Sequence, residues 1–238
     1  MAADSHAHVG SDGFRLRGSA MSRIDGFSDV VFGFALTLLV VSLEVPKTYE
    51  ELHSLMQGFL PFAVSFVLLM TVWYAHYFFF ERFGLKDTGT IVINAALLFV
   101  VLFYVYPLKF LFGLFIGQVV GTVAQNQLTA HQGVELMVVY GLGFMAIYLL
   151  FAALYWNGWK QRETLQLTPL ELRLTKIYIQ DHLLSASVGL LSCLLAVTLP
   201  GNLSGMAGFA YMLIGATKSM TGARTGRAER SMRGTAAG

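Results

Sequence analysis

Six apolar stretches follow one another along the chain, and they constrain its fold more than any other feature. They cover residues 23–43, 59–80, 91–106, 134–156, 183–199 and 203–217. About 20 mostly apolar residues, wound as a helix, cross a hydrocarbon core of roughly 30 Å. Because backbone polar groups must be satisfied inside the bilayer, each stretch is expected to be helical. We therefore predict an all-α integral membrane protein with six transmembrane helices per subunit.

The composition supports this prediction and excludes several classes of protein. Only 13% of the 238 residues are charged, 55% are hydrophobic, and the mean hydropathy is +0.62. A soluble domain of ordinary composition carries about 25% charged residues. The chain is therefore not a soluble enzyme, a disordered chain or a nucleic-acid binder with a basic face. Its single cysteine, Cys193, cannot form an internal disulfide, and we expect no metal and no cofactor.

The distribution of Lys and Arg predicts the orientation. With six spans, all but Lys47 and Lys109 of the 16 basic residues fall on the side that carries both termini. Basic residues concentrate in cytoplasmic segments, so both termini should be cytoplasmic. We divide the chain into a polar N-terminal segment (1–22), a transmembrane domain (23–217) and a basic tail (218–238). The Gly/Ser/Arg-rich composition of the tail predicts disorder.

A local signal marks the start of the helix that leads into the fifth span. Residues 168–171 read Thr-Pro-Leu-Glu, a capping box with proline at the first helical position. A helix is therefore expected to begin there and to continue into the membrane.

Polar residues on three different spans fall at one depth. At about 1.5 Å per residue, Arg23, Asp29, His76 and Asn94 all lie within roughly 10 Å of the cytoplasmic boundary. Charges inside a span usually face the protein interior and have a partner there. We therefore expect a buried hydrogen-bonded cluster of these four residues. Its role is either purely structural, holding three helices together, or part of a proton relay. A relay would need titratable groups in the outer halves of the spans, where the sequence has almost none.

These residues also match a known family. The string at 23–29 has the pattern R-x-x-x-F-S-D, Trp73 and His76 follow on the second span, and Asn94 and the Tyr-Pro pair at 106–107 lie on the third. The pattern resembles the signature of the transmembrane protein 175 family, the endosomal and lysosomal potassium channels with prokaryotic six-helix relatives. The likeness covers about residues 23–108.

The resemblance implies a potassium-permeable channel, tetrameric in six-helix members, whose pore is lined by the first helix. It implies a structural motif network around that helix, which here falls on Arg23, Phe27, Ser28, Asp29, Trp73, His76 and Asn94. The family often has a second histidine beside the first, where this chain has Tyr77. A single copy of the motif is the prokaryotic type, which implies a plasma membrane.

The first span also has a face that could line a pore. Three- and four-residue steps place on one face Val30, Phe34, Thr37, Leu38, Val41 and Val45. This face is apolar apart from the Thr37 hydroxyl, whereas Ser28 and Asp29 are expected to point into the subunit. Such a face is usually lipid-facing or packed in a core.

If the face instead meets its own copies around an axis, Phe34, Leu38 and Val41 would form a constriction that gates by dewetting. Thr37 would then be a weak selectivity element. The resemblance assigns the constriction to the same positions. One helix cannot enclose an axial pore alone, so this hypothesis requires a homo-oligomer.

No selectivity filter of the carbonyl-ring type is evident. The nearest string, Val-Tyr-Gly at 139–141, lies inside the fourth span, where Gly141 and Gly143 are more typical of close helix packing. Any potassium selectivity should therefore be modest.

The alternative hypothesis is a secondary transporter or proton-linked carrier, for which paired half-helices are the usual sign. An intramembrane enzyme would need a nucleophile, a base and an oxyanion site, so we expect no enzyme. The expected partners are a second copy of the chain, membrane lipid, and K⁺ with other monovalent cations, but no nucleic acid.

Overall fold

A computed structural model describes residues 9–18, 21–41, 46–120 and 128–236, and apart from residues 9–18 these ranges are mostly helical. The α-helices are α1 (Arg23–Val41), α2 (Tyr49–Gln57), α3 (Phe59–Phe83), α4 (Thr88–Val120), α5 (Ala130–Lys160), α6 (Pro169–Thr198) and α7 (Leu213–Ala236). A 3₁₀ helix, Gly201–Met212, connects α6 to α7. The all-α fold class is thereby confirmed.

Four helices, α3 to α6, are long and apolar enough to cross a membrane. They coincide with the second to fifth predicted spans, and α3 begins at Phe59, as predicted. The first predicted span corresponds to α1, and the sixth falls on the 3₁₀ helix and the start of α7. These two segments are not among the four, so the count of six spans and the cytoplasmic location of the termini remain predictions.

Helix starts follow the local sequence. The capping box expected at the start of α6 is present: Thr168 Oγ1 accepts the Glu171 backbone N–H at 3.3 Å, and Glu171 Oε2 accepts the Thr168 N–H at 2.7 Å. Thr129 and Gln132 make the same reciprocal pair at the start of α5. Each box satisfies two backbone N–H groups that the first helical turn leaves without partners.

Glycines of α5 bring it close to α6 and to α4. A Cβ atom added to Gly141 would lie 2.8 Å from the backbone oxygen of Gly189 and against the sulfur of Cys193, and one added to Gly143 would overlap the ring of Tyr104. Glycine is therefore needed at both positions, which confirms the expectation of close packing there. The 3₁₀ helix packs on α5 and α6, and Ser192 of α6 donates a hydrogen bond to the carbonyl of Ala207 at 3.2 Å.

The C-terminal tail differs from the expectation based on composition. Helix α7 continues through residues 218–236, a segment whose composition predicts disorder. Asp181 of α6 accepts hydrogen bonds from Thr221 at 2.7 Å and from Lys218. Because most helical stability in proteins comes from packing and not from propensity, these contacts with α6 stabilise a segment that its glycines alone would leave unfolded.

Candidate functional site

Helix α1 has one packed face and one uncovered face. Ser28, Phe32, Ala35 and Leu39 recur at steps of three and four residues and are buried against α3 and α4. The opposite face is exposed in the subunit: Val30 is 70% exposed, Phe34 is 55% exposed, and Thr37 is also exposed. The part of α1 singled out as a candidate pore face is therefore the part that the rest of the described chain does not cover.

The four candidate pore residues differ in their surroundings. Phe34 and Thr37 are exposed, whereas Leu38 is half-buried and packs partly against the core of the subunit. Thr37 Oγ1 donates a hydrogen bond to the carbonyl of Gly33 at 2.9 Å. Val41 is the last residue of α1, and its side chain lies outside the described residues, as does the whole of Val45.

A buried chain of hydrogen bonds joins three helices at the packed face of α1. Asn94 of α4 donates its Nδ2 to Ser28 Oγ at 2.9 Å, so its Oδ1 is the acceptor for His76 Nε2 of α3 at 2.8 Å. Ser28 Oγ in turn donates to the carbonyl of Ile24 at 2.7 Å. Each hydrogen bond is therefore donated in the same direction, from His76 towards the backbone of α1. Each of these polar groups has a partner, as expected for buried polar groups.

The buried chain of hydrogen bonds does not include the whole predicted motif network. Asp29 is exposed and accepts a hydrogen bond from Trp73 Nε1 at 2.9 Å, while Arg23 and Phe27 are exposed as well. Consecutive residues of a helix point about 100° apart, so Ser28 and Asp29 cannot share the packed face. The single buried cluster expected of Arg23, Asp29, His76 and Asn94 is therefore not formed. His76 and Asn94 belong to the buried chain of hydrogen bonds, whereas Arg23 is exposed and the exposed Asp29 pairs with the half-buried Trp73.

Two further groups of residues connect α3 to α6, and the sequence interpretation used their charges only to predict topology or a helix cap. The first group is a strap of residues 9–18, which leads towards α1 and lies across the end of α3 and the start of α6. Glu171, fully buried at the start of α6, pairs with Arg17 at 2.9 Å and with Arg15 at 3.0 Å. The backbone N–H of Gly18 donates to the carbonyl of Glu81 at 2.9 Å, and a Cβ on Gly18 would collide with the backbone of α3.

The second group surrounds Arg82 at the end of α3, which is buried with only 1% of its side chain exposed. Its guanidinium lies 3.8 Å from the ring centre of Phe78 and 5.0 Å from that of Phe14. It also donates to Tyr178 at 3.2 Å and pairs with Asp12 of the strap. Aromatic rings and one carboxylate therefore compensate part of the cost of this buried charge, while Nε and Nη1 have no hydrogen-bond partner among the described residues. In the sequence, this site is indicated only by the isolated carboxylate of Asp12 and by the run of aromatic residues that precedes Arg82.

Asp87 joins the start of α4 to the end of α5, outside the membrane-spanning helices. Burial raises the pKa of Asp87, but hydrogen bonds from Thr90, Gln161 and Asn157 outweigh this effect and hold the pKa well below its usual range. The donors lie close: Thr90 Oγ1 is 2.6 Å, Gln161 Nε2 is 2.8 Å and Asn157 Nδ2 is 3.1 Å from the carboxylate oxygens. In the described parts of the chain, no group of three or more His, Cys, Asp or Glu residues is placed to hold a metal ion.

Comparisons with known proteins decide the family. The family model described as endosomal/lysosomal potassium channel TMEM175 matches residues 23–104. A protein of Marivirga tractuosa named potassium channel is 42% identical over 212 residues, which cover 84% of this chain and 85% of that protein. The chain belongs to the TMEM175 family of potassium channels.

Solved structures of TMEM175 proteins agree with this assignment. A crystal structure of a variant of the potassium channel MtTMEM175, bound to a nanobody fusion protein, superposes with a TM-score of 0.81 at 37% identity, covering 92% of this chain and 100% of the other. A TMEM175 homolog from Chamaesiphon minutus superposes with a TM-score of 0.57 at 22% identity, covering 84% of this chain and 96% of the other, and shows that the fold is shared.

The matched region contains the buried chain and the exposed face of α1. Residues 23–104 include α1, α3 and about half of α4, and therefore the hydrogen-bond chain from His76 through Asn94 to Ser28. TMEM175 proteins are membrane channels and not enzymes, so the expectation that the chain is not an enzyme is confirmed.

Proposed function

We propose that this TMEM175 protein is the subunit of a homotetrameric, potassium-permeable channel that conducts passively through a pore lined by α1. The observation that carries the proposal is the uncovered face of α1, formed by Val30, Phe34 and Thr37, which is apolar apart from the Thr37 hydroxyl. An apolar face on the helix that carries the family motif can contact either lipid or other copies. Four copies meeting at this face would enclose a narrow axial path.

The narrowest part of the path is assigned to Phe34, Leu38 and Val41, which are spaced three and four residues apart. Stacked rings of these side chains would form a hydrophobic constriction that gates by dewetting. The half-buried position of Leu38 suits this role, because its packing against the subunit core fixes the side chain while its other side remains uncovered.

Thr37 is proposed as the weak selectivity element. Its hydroxyl proton is directed to the carbonyl of Gly33, which leaves the oxygen lone pairs to accept a cation from the exposed side of α1. Backbone carbonyls of the Val-Tyr-Gly string in α5 do not offer an equivalent, since the Tyr140 carbonyl accepts the hydroxyl of Tyr104 at 2.9 Å. Selectivity for K⁺ over Na⁺ is therefore expected to be modest.

The alternative function, a proton-linked carrier, receives less support from the polar layer. The buried chain passes through the amide of Asn94 and ends on the Ile24 backbone carbonyl, and neither group takes up and releases protons near neutral pH. The polar layer therefore favours a structural role, in which its hydrogen bonds hold α1 against α3 and α4. We place the channel in a prokaryotic plasma membrane with both termini cytoplasmic, in keeping with the excess of basic residues on that side.

Flux through liposomes tests the pore assignment. The purified protein, reconstituted with a potassium gradient, should release K⁺ and draw in protons once a protonophore is added. Phe34→Ala should increase this flux several-fold because it widens the constriction. Phe99→Ala is the matched control, since Phe99 is also an exposed phenylalanine, at 71%, but lies on α4. Equal flux for both variants and the unchanged protein would refute a pore lined by α1, and flux strictly coupled to protons would favour the carrier.

The same assay with Na⁺ in place of K⁺ tests the role of Thr37. Thr37→Ala should reduce the preference for K⁺ over Na⁺ without changing the amount of oligomer. Thr198→Ala is the matched control, because Thr198 is exposed too and donates its hydroxyl to the carbonyl four residues earlier, at 2.8 Å. An unchanged ion preference in Thr37→Ala would remove Thr37 from the ion path.

A further inference from the structure

A cavity between α6 and α7 is lined by arginines from both helices. It has a volume of about 260 Å³, and its lining residues are Arg173, Ile177, Gln180, Arg224 and Arg227. Arg224 and Arg227 are three residues apart, so they share one face of α7 and point towards α6. The cavity lies apart from α1 and from the motif network.

The charges of this cavity are not balanced locally. Among the residues that line it, three carry a positive charge and none carries a carboxylate. Lys218, about two turns earlier on α7, provides a contrast because it pairs with Asp181. The hydrogen bond of Arg173 goes to a neutral group, from its Nη1 to the hydroxyl of Ser231 at 3.4 Å. Like charges at this spacing repel one another, and an anion in the cavity would convert that repulsion into attraction.

The position of the cavity relative to the apolar part of the bundle indicates which anion it fits. Arg173 lies ten residues before Leu183, where the apolar part of α6 begins, so its backbone is about 15 Å from that point along α6. The headgroup layer of a bilayer extends roughly 5–8 Å beyond the hydrocarbon core. Gln180, about 4.5 Å before Leu183, therefore lies in the headgroup layer, and the arginines beyond it can extend their long side chains back towards phosphates at this level.

We infer that the cavity between α6 and α7 is a binding site for a phosphate group, supplied by the headgroup of an anionic phospholipid on the side of the membrane that carries α7. Guanidinium groups bind phosphate oxygens through paired N–H donors, and two helices that each contribute such groups can hold one phosphate between them. A phosphate bound in the cavity would connect α6 to α7 at a second position along the helices, in addition to the contacts of Asp181 with Lys218 and Thr221. The inference does not depend on which helix lines the pore.

The experiment measures lipid binding to the purified oligomer in detergent, with the whole chain intact. The probe is dioctanoyl phosphatidylglycerol, compared with dioctanoyl phosphatidylcholine, and the readout is the rise of the thermal unfolding midpoint with lipid concentration. Arg173→Gln/Arg227→Gln should weaken the apparent affinity for phosphatidylglycerol about 30-fold, which corresponds to about 1 kcal/mol for each arginine removed.

Arg162→Gln/Arg230→Gln is the matched control, because it also removes two positive charges without changing a residue of the cavity. Its affinity should stay within about threefold of the unchanged protein, since only the long-range attraction falls. Equal weakening by the two double variants would overturn the inference, and so would equal binding of phosphatidylglycerol and phosphatidylcholine by the unchanged protein. Each rise is measured from the same protein's midpoint without lipid, which separates lost binding from lost folding.

A second arm distinguishes the source of the phosphate. Excess inorganic phosphate is added to the same titration. Competition that disappears in Arg173→Gln/Arg227→Gln would assign the site to phosphate itself, bound without acyl chains. Absence of competition, together with the arginine dependence of the lipid effect, would assign it to the intact lipid. Competition that is the same in all three proteins would reflect screening by salt and would count against the site.

Discussion

Asn94 is the link through which α3 and α4 hold α1, and its replacement by leucine tests the buried hydrogen-bond chain most directly. Leucine has a similar volume and no polar atoms. In Asn94→Leu the hydrogen bonds to His76 and Ser28 are both lost. The Ser28 hydroxyl keeps its bond to the Ile24 carbonyl, so of these groups the His76 N–H is the one left buried without a partner.

The expected cost follows from these two losses. A net hydrogen bond contributes about 0.5–1.5 kcal/mol, and a buried donor without a partner costs about 1–3 kcal/mol. Asn94→Leu should therefore destabilise the subunit by about 2–4 kcal/mol. For a chain of this size that corresponds to a fall of roughly 5–15 °C in the thermal unfolding midpoint.

A double variant distinguishes this mechanism from a simple packing defect. His76 packs against the rings of Phe32 and Phe80, at centroid distances of 5.4 and 4.6 Å, so phenylalanine at this position keeps the aromatic contacts. His76→Phe/Asn94→Leu removes the orphaned donor and should recover about 1–3 kcal/mol relative to the sum of the single variants. Thermal unfolding in detergent measures all three. Additive single effects, or a fall of less than about 2 °C in Asn94→Leu, would refute the role of the buried chain in holding α1.

Two further predictions concern the ends of the helices near the strap. Glu171→Gln should detach the strap of residues 9–18, because the Arg15 and Arg17 guanidinium groups lose their carboxylate; cleavage by trypsin after these arginines should become about tenfold faster. Glu163→Gln, which changes an exposed carboxylate, should leave the rate unchanged. Because the folded state holds the pKa of Asp87 below its usual range, its stabilisation is present above about pH 4 and is lost as the pH falls further. The unfolding midpoint should therefore fall less steeply below about pH 4 in Asp87→Asn than in the unchanged protein, and parallel pH curves would contradict this assignment.

Features that depend on local sequence were predictable. Continuous apolar stretches predicted α3 to α6, because hydrophobic length is a property of consecutive residues. The Thr168–Glu171 capping box predicted where α6 begins, since a cap involves only four neighbouring residues. The motif at 23–29 with His76 and Asn94 indicated the family, which the comparisons confirm.

The pairing of side chains depended on helix rotation and packing, which the sequence does not specify. Depth estimates placed Arg23, Asp29, His76 and Asn94 at one level, but the rotation of α1 turned Ser28 inward and Asp29 outward. Arg15 lies 156 residues from Glu171 along the chain, and Arg17 lies 154 residues from it, so no local pattern could reveal the strap.

The sequence by itself therefore determined the class of protein, the position of its main spans and its family, because hydropathy, caps and short motifs act over a few neighbouring residues. Only the tertiary structure decided which polar residues meet. It joined His76, Asn94 and Ser28 into one buried chain, enclosed Arg82 in aromatic rings, and left one face of α1 uncovered. Each of these outcomes depends on how helices from distant parts of the chain rotate and pack against one another.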